Sequence, residues 1–448
     1  MNDVASVAAR LPPALRWPRI VQDVAYLTRG RWLMQTLFEK FGSSFTMRLP
    51  FFGPTVVISD PSLIKEFFAL PADAVQGVEP NLSSILGSGS TFGLHGDDHR
   101  ARRKLILPHF NGPRLAAYNG LIERETRHEV SEWPEGIEFP VLPSMLRITL
   151  NTILRSVMGA DGQELEALRT ILPRFMAAGS KLAFVPFLQR DLGPGTPWRQ
   201  FAARRAEFDN ILESLIARAG ADPEADHRVD VLSLMLRARY EDGSAMSHDD
   251  IKDELLTLVV AGHETTATSL AWAIERLRRH PKWLAQLVEA LDVGDTALLQ
   301  ATVYETQRVR PVIDAAARQV VAPSIRLGDW VIPEGYTVTV NIGLTHQNAS
   351  AFPDADRYMP ERFIDERPGS NTWVPFGGGN RRCPGASLAN LEMVTVLQTL
   401  LEEFTIEPTN AKGERWKSRG VAFAPGLGGR AVIQRRKPLV GRGEADSP

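Results

Sequence analysis

The chain has 448 residues, 44% of them hydrophobic and 23% charged, an ordinary globular balance with enough apolar mass for a large core. A formal net charge of −2 supplies no global pull toward nucleic acid or an acidic membrane. The single cysteine, Cys383, excludes an intrachain disulfide and any multi-cysteine zinc site, and suits a reducing, cytoplasmic compartment.

Length alone suggests about three domains. No linker or repeat divides the chain, so one folded domain is expected over residues 11–437, between a disordered N-terminus at 1–10 and a disordered tail at 438–448. No apolar run approaches the roughly 20 residues needed to cross a bilayer. The opening MNDVASVAARLPPALRWP has no basic segment followed by an apolar one, so no secretory signal is expected.

Residues 33–41 carry helical apolar spacing. FTMRLPFFGPTVVIS, residues 45–59, reads as two short strands around a Gly53-Pro54 turn. PSLIKEFFAL returns to helical spacing, and residues 76–95, rich in Gly and Ser, read as a long loop. From about residue 97 to 320 helical patterns dominate. GDDHRARRKLILPHF, residues 96–110, is a basic cluster with His99 and Arg103 four apart on one helical face. It lacks the aromatic interleaving of a nucleic-acid site, and by itself is a solvated basic face.

The clearest helix is SHDDIKDELLTLVVAGHETTATSLAWAIERLRRHP. Ser247 is a good N-cap, the early acids suit the helix dipole, and Pro281 stops the helix after a basic last turn. Apolar all round from Leu255 to Ala261, it should run through the middle of the protein. AGHETT, residues 261–266, interrupts that apolar stretch. Gly262 costs about 1 kcal/mol relative to alanine in a helix interior, and Glu264 and Thr265 need partners if buried. Two readings stay open: a kink with Thr265 bonded back to a carbonyl, or a functional polar site. His263-Glu264 begins like the zinc motif HExxH, but residue 267 is Ala, so that reading fails.

ETQR sets Glu305 and Arg308 three apart, which alone is most often a weak surface pair. IRLGDWVIPEGYTVTVNI, residues 325–342, reads as a hairpin closed by Pro333-Glu334-Gly335. The class is mainly α with minor β.

FGGGNRRCPGASLA, residues 376–389, sets Cys383 among glycines, arginines and a proline. Pro384 favours a first helical position, and helical periodicity follows to about Phe404. Cys383 is therefore expected where free N–H groups and the positive end of a helix dipole meet, which favours a thiolate. Gly377, Gly378 and Gly379 let the backbone pass close to something flat or bulky, and Arg381 and Arg382 can pair with carboxylates. A thiolate can be the axial ligand of haem iron. The alternative, a buried structural thiol, has no use for the arginines.

FGGGNRRCPG resembles the haem-binding loop of the cytochrome P450 family, F-x-x-G-x-R/H-x-C-x-G, with Phe376, Gly379, Arg381, Cys383 and Gly385 in the fixed places. Ala261, Gly262, Glu264 and Thr265 match the family's A/G-G-x-D/E-T, and Glu305, Arg308 and the Pro360, Arg362, Phe363 of YMPERF match its E-x-x-R and P-x-R-F elements. The resemblance spans about residues 10–437, with the elements in the family's order. It implies the cytochrome P450 fold: a single large domain, a long central helix across haem b and a small β-rich lobe. It implies Cys383 as the metal ligand, Phe376 beside the sulfur, and His99, Arg103, Arg318 and Arg381 on the propionates. Glu264 and Thr265 would relay protons to O2, and Glu305, Arg308 and Arg362 would form a structural network. The pocket would draw on residues 76–95 and 170–195 and on Val259, Ala261, Val312, Ile313, Asp314 and Phe423, which suits a fatty acid, terpenoid or steroid-like ligand. Asp314 could take a polar or cationic group or face solvent.

The implied activity is a haem-thiolate monooxygenase that hydroxylates or epoxidises a lipophilic small molecule. Its electrons would come from a ferredoxin or flavodoxin with its NAD(P)H reductase, docking on the cysteine side near Arg382 and Lys104. A bacterial monomer without a membrane anchor is expected. The rival readings are a peroxide-driven or rearranging haem-thiolate enzyme and a non-enzymatic haem sensor or carrier.

Overall fold

The structure, a computed structural model, describes residues 9–436 except 51, 79–81, 111, 184–187, 192, 194 and 421. The expected disorder at 1–8 and 438–448 lies outside the described residues. Arg10, placed in that disordered segment by sequence, instead exchanges backbone hydrogen bonds with Val331 at 3.0 and 2.9 Å.

The long helix runs from His248 to Leu277. Ser247 caps it, its Oγ accepting the Asp250 N–H at 3.1 Å, which contributes about 1 kcal/mol. Leu255, Leu256 and Val259 are fully buried in the largest apolar cluster. The helix packs along Leu142–Met158 and also meets Ala297–Val309 and Ala386–Glu403. It stays helical through AGHETT, so there is no break. Gly262 has another purpose: a Cβ there would lie 2.6 Å from the Ile153 Cδ1 of the neighbouring helix. The glycine admits close helix–helix contact.

The β-rich lobe holds a five-stranded sheet in the order Ser44–Leu49, Gly53–Ile58, Thr337–Asn341, Ala315–Val320, Val75–Gln76. Only the pairing of Gly53–Ile58 with Thr337–Asn341 is parallel. Four local expectations shift. Gly53 opens its strand opposite Leu49, so the turn lies before it. The hairpin is Ser324–Leu327 with Trp330–Pro333, closed at Gly328 where φ is +54°. Pro333-Glu334-Gly335 instead directs the chain into the central strand Thr337–Asn341, whose five residues are all buried. Helical structure ends before Ala315–Val320, which is a strand, and the 76–95 stretch contains a short helix, Ser83–Leu86.

Glu392, on the helix Ala386–Glu403, is buried and its Oε1 has no protein hydrogen-bond partner. Burial pushes its carboxyl from 4.5 up to about 8, partly opposed by the Thr152 hydroxyl. The folded state therefore holds this proton more tightly than the unfolded chain. Its contribution to stability is complete below about pH 4.5 and is lost as pH rises toward about 8. In urea unfolding at successive pH values across that window, Glu392→Gln is expected to flatten the decline seen in the wild type.

Candidate active site at the cysteine loop

The loop before the helix Ala386–Glu403 closes on itself: the Cys383 N–H donates to the Phe376 carbonyl at 2.9 Å, and the Arg382 N–H to the Gly379 carbonyl at 3.1 Å. Its glycines are dictated by Phe68, at the end of the helix Pro61–Ala69. A Cβ on Gly378 would lie 2.1 Å from the Phe68 ring, and one on Gly379 2.2 Å from the Phe68 carbonyl oxygen. Gly377 and Gly379 also hold positive φ, +64° and +63°. Gly378 and Gly379 thus let the backbone pass close to Phe68, whereas Gly377 meets only the Ala316 Cβ, at 3.6 Å. Phe376 meets Trp373 edge-on, centroids 6.0 Å apart.

Cys383 is exposed, although neighbouring chain surrounds it. The helix begins only at Ala386, with Gly385 as its N-cap, so the cysteine precedes the cap. Burial within the protein mass pushes its thiol up. The Gly385 N–H bonded to the sulfur and the charges of Arg103 and Arg382 pull the other way without prevailing. The expected dipole-driven thiolate does not arise from the chain alone.

Four basic side chains gather in one cluster, of which Arg103 acts on the Cys383 sulfur. His99 and Arg103 come from the helix Gly96–Ile106, Arg318 from the strand Ala315–Val320, and Arg381 from the loop. Burial and the charges of Arg381, Arg103 and Arg318 push His99 down to about 3. Arg318, buried near Arg381 and Arg103, is pushed down to about 10. It donates to the Gly378 carbonyl at 2.7 Å through Nη2, while its buried Nε and Nη1 have no protein acceptor. Like charges gathered around unmatched donors fit an anionic cofactor carrying carboxylates. The residues present therefore fit haem. Arg102 on the same helix points elsewhere: it is buried against Gly89, Tyr240, Asp250 and Glu254 and ties this helix to the long one.

The long helix offers a second accessible strip. Ala261 is exposed and Val260, Gly262, Glu264 and Thr265 are half-buried, between fully buried stretches. The Thr265 hydroxyl donates to the Ala261 carbonyl at 2.7 Å, leaving its lone pairs free to accept. Glu264 Oε1 accepts from Arg419 Nε at 2.8 Å. Arg419 ends the strand Trp416–Arg419 of a hairpin with Ala422–Pro425, a partner that no motif pointed to. His263 is buried, its Nδ1 3.0 Å from Thr149 Oγ1; burial and Arg419 push it down to about 4.

The pocket residues divide. Val259 is fully buried, whereas Val260 and Ala261 beside it are accessible. Val312 packs with Trp272 and Ala422, and Ile313, Phe423 and Ala316 are half-buried. Phe423 is pinned, its N–H donating to Val312 and its carbonyl accepting from Trp272 Nε1, both at 2.9 Å. Asp314 faces Arg31 at 3.5 Å and the Gly343 N–H, so this carboxylate already has partners within the chain. Lys104 pairs with Glu241, while Arg382 is exposed.

Glu305, Arg308 and Arg362 come together. Arg308 binds Glu305 through two bonds, 2.7 and 2.8 Å, and also donates to the carbonyls of His346, Ala355 and Arg357. Arg362 Nε lies 3.4 Å from Glu305 Oε2, and the Met359 N–H reaches Glu305 Oε1 at 2.7 Å. His346, which the sequence reading missed, extends the network. Its Nε2 accepts the Val374 N–H at 2.9 Å, so its Nδ1–H faces the Arg308 carbonyl at 3.0 Å. Burial pushes it down to about 3, which keeps the ring neutral.

The cytochrome P450 pattern matches residues 12–426, and the chain belongs to that family: it is a cytochrome P450 monooxygenase, an oxidoreductase whose cofactor is haem. A protein provisionally named cytochrome P450 138, from Mycobacterium tuberculosis and Mycobacterium bovis, is 48% identical over 97% of this chain and all of its own length. One provisionally named cytochrome P450 135B1, from the same organisms, is 37% identical over 97% of this chain and 94% of itself. Among solved structures, retinoic acid-bound cyanobacterial CYP120A1 has a TM-score of 0.82 at 22% identity, covering 96% of this chain and all of that one. The cytochrome P450DA heme domain has 0.81 at 21% identity, covering 96% and 99%. These structures bear out the expected fold.

Glu305→Gln removes the one charge opposite a fully buried guanidinium. It is expected to cost about 3–5 kcal/mol, read as a fall in the denaturation midpoint. Arg100→Gln, at an exposed pair with Asp97, is expected to leave that midpoint unchanged.

Proposed function

We propose that this chain inserts one oxygen atom of O2 into a lipophilic small molecule, by hydroxylation or epoxidation, in the cytoplasm. The second oxygen leaves as water, with two electrons and two protons consumed. A ferredoxin or flavodoxin with its NAD(P)H reductase supplies the electrons, reaching the cysteine side near Arg382. The observation that carries this reading is the cluster of His99, Arg103, Arg318 and Arg381, with Arg103 acting on the single accessible cysteine.

Haem supplies the oxygen-activating chemistry when bound. Cys383 would hold the haem iron through its sulfur. The Gly385 N–H bonds to the sulfur, and Phe376, whose carbonyl accepts the Cys383 N–H, would stand beside it. Arg103, Arg318, Arg381 and neutral His99 take the carboxylates. On the other helix, Thr265 Oγ1 and the Glu264 carboxylate hold and pass protons at the accessible strip. Arg419 positions Glu264. The exposed Ala261 and the half-buried Val260, Ile313, Ala316 and Phe423 would line the apolar space and exclude water. A long lipophilic substrate suits that lining, and retinoic acid is the ligand of one structural relative.

Reduction under carbon monoxide is expected to give a strongly red-shifted Soret band, and Cys383→Ser to abolish it. In Thr265→Ala, product formed per NADPH is expected to fall about tenfold or more, while peroxide-supported turnover persists. An equal loss under both regimes would remove Thr265 from proton delivery. Peroxide-only turnover in the wild type would favour a peroxide-driven enzyme, and a haem-loaded protein without turnover a sensor.

A further inference from the structure

The helix Arg19–Phe41 leaves helical geometry at Arg29 (φ −142°, ψ 39°), which makes its first half a segment of its own. That segment is apolar on both sides, with the half-buried Ala25 and Tyr26 packed inward against the core. Its inward side carries Gln22, only 3% exposed, which donates to the Trp17 carbonyl at 2.7 Å and accepts the Arg48 N–H at 2.8 Å. The outward side is apolar: Ile20, Val24 and Leu27 follow one another at i, i+4 and i+7, exposed by 76, 54 and 66%. Trp17 and Val21 flank this stripe, and Trp32 continues past the break. Of the twelve large hydrophobic side chains exposed among the described residues, six fall within 17–32. Scattered exposed apolar residues need no explanation, but a contiguous stripe does.

Charge indicates what covers it. Arg16, Arg19 and Arg29 stand exposed around the stripe. Asp23 is the only acid between residues 9 and 32, and it is paired with Arg19 at 3.6 Å. In a chain of net charge −2 this is a local basic excess. An apolar helical face rimmed by arginines, with tryptophan at its ends, has the composition of a helix lying in the headgroup region of an anionic bilayer. No helix among the described residues is long and apolar enough to cross a membrane, so the contact is with the surface.

We propose that the outer face of Arg19–Thr28, with Trp17 and Trp32, docks this protein on an anionic lipid surface. Just past the break, Arg31 lies over the Trp416 ring at 3.7 Å and faces Asp314. Trp416 begins the hairpin that carries Arg419 and Phe423. The docked face therefore adjoins the wall of the proposed substrate space, and a lipophilic substrate dissolved in the bilayer meets the protein there. That last consequence rests on the proposed function; lipid attachment does not.

The full-length, haem-loaded protein should be sedimented with vesicles of equal parts phosphatidylglycerol and phosphatidylcholine, and with phosphatidylcholine alone. Binding is expected to the anionic vesicles and to weaken with salt. The combined variant Ile20→Ser, Val24→Ser, Leu27→Ser is expected to lower partitioning about tenfold or more while keeping the carbon monoxide band. Arg16→Glu with Arg19→Glu is expected to remove the anionic preference. Failure of the wild type to bind either vesicle, or equal binding by the serine variant, overturns the proposal. So does a wild-type dimer without vesicle binding that the serine variant abolishes, which assigns the face to a second copy of this chain.

Discussion

The site depends on one buried charge pair. Glu305 and Arg308 neutralise each other in a region that water does not reach, and the spare donors of Arg308 are spent on three backbone carbonyls. Because a guanidinium offers donors in a fixed planar fork, those carbonyls are held in a fixed arrangement. One belongs to His346, whose ring passes the constraint on to the Val374 N–H. Val374 lies two residues before Phe376, and Phe376 closes the loop through Cys383. A pair distant in sequence thus fixes the backbone that presents the sulfur. Loss of one member strands a charge, so the arrangement persists whole or fails as a unit.

The candidate site was legible where it is carried by short local patterns. The cysteine loop, Glu264-Thr265, the E-x-x-R pair and the basic helix all stand where the chain suggested, because each needs fixed spacing within one turn or one helix. What was not legible depends on distant partners. Arg419 looks like any loop arginine, although the cost of burying Glu264 already required some partner for it. His346 belongs to no motif, and its importance comes from being fully buried between two backbone groups. Val259 and Val260 are indistinguishable by composition, and only the helix's rotation against its neighbours decides which one is accessible.

The fold class was legible for a similar reason, since the long capped helix with its apolar centre dominates the pattern. The sheet was less so. Thr337–Asn341 is buried on both faces and pairs with strands far before and just before it, so its alternating residues mimic half of a simple hairpin. Gly262 misled in another way. Its helix cost suggested a bend, but the compensation is contact with Ile153, which only a second helix could reveal.

The fit of Gly378 and Gly379 against Phe68 has a bearing on assembly. The two partners are separated by about three hundred positions, so the close fit joins distant parts of the chain. A larger residue at either glycine would force apart two segments that the fold brings together.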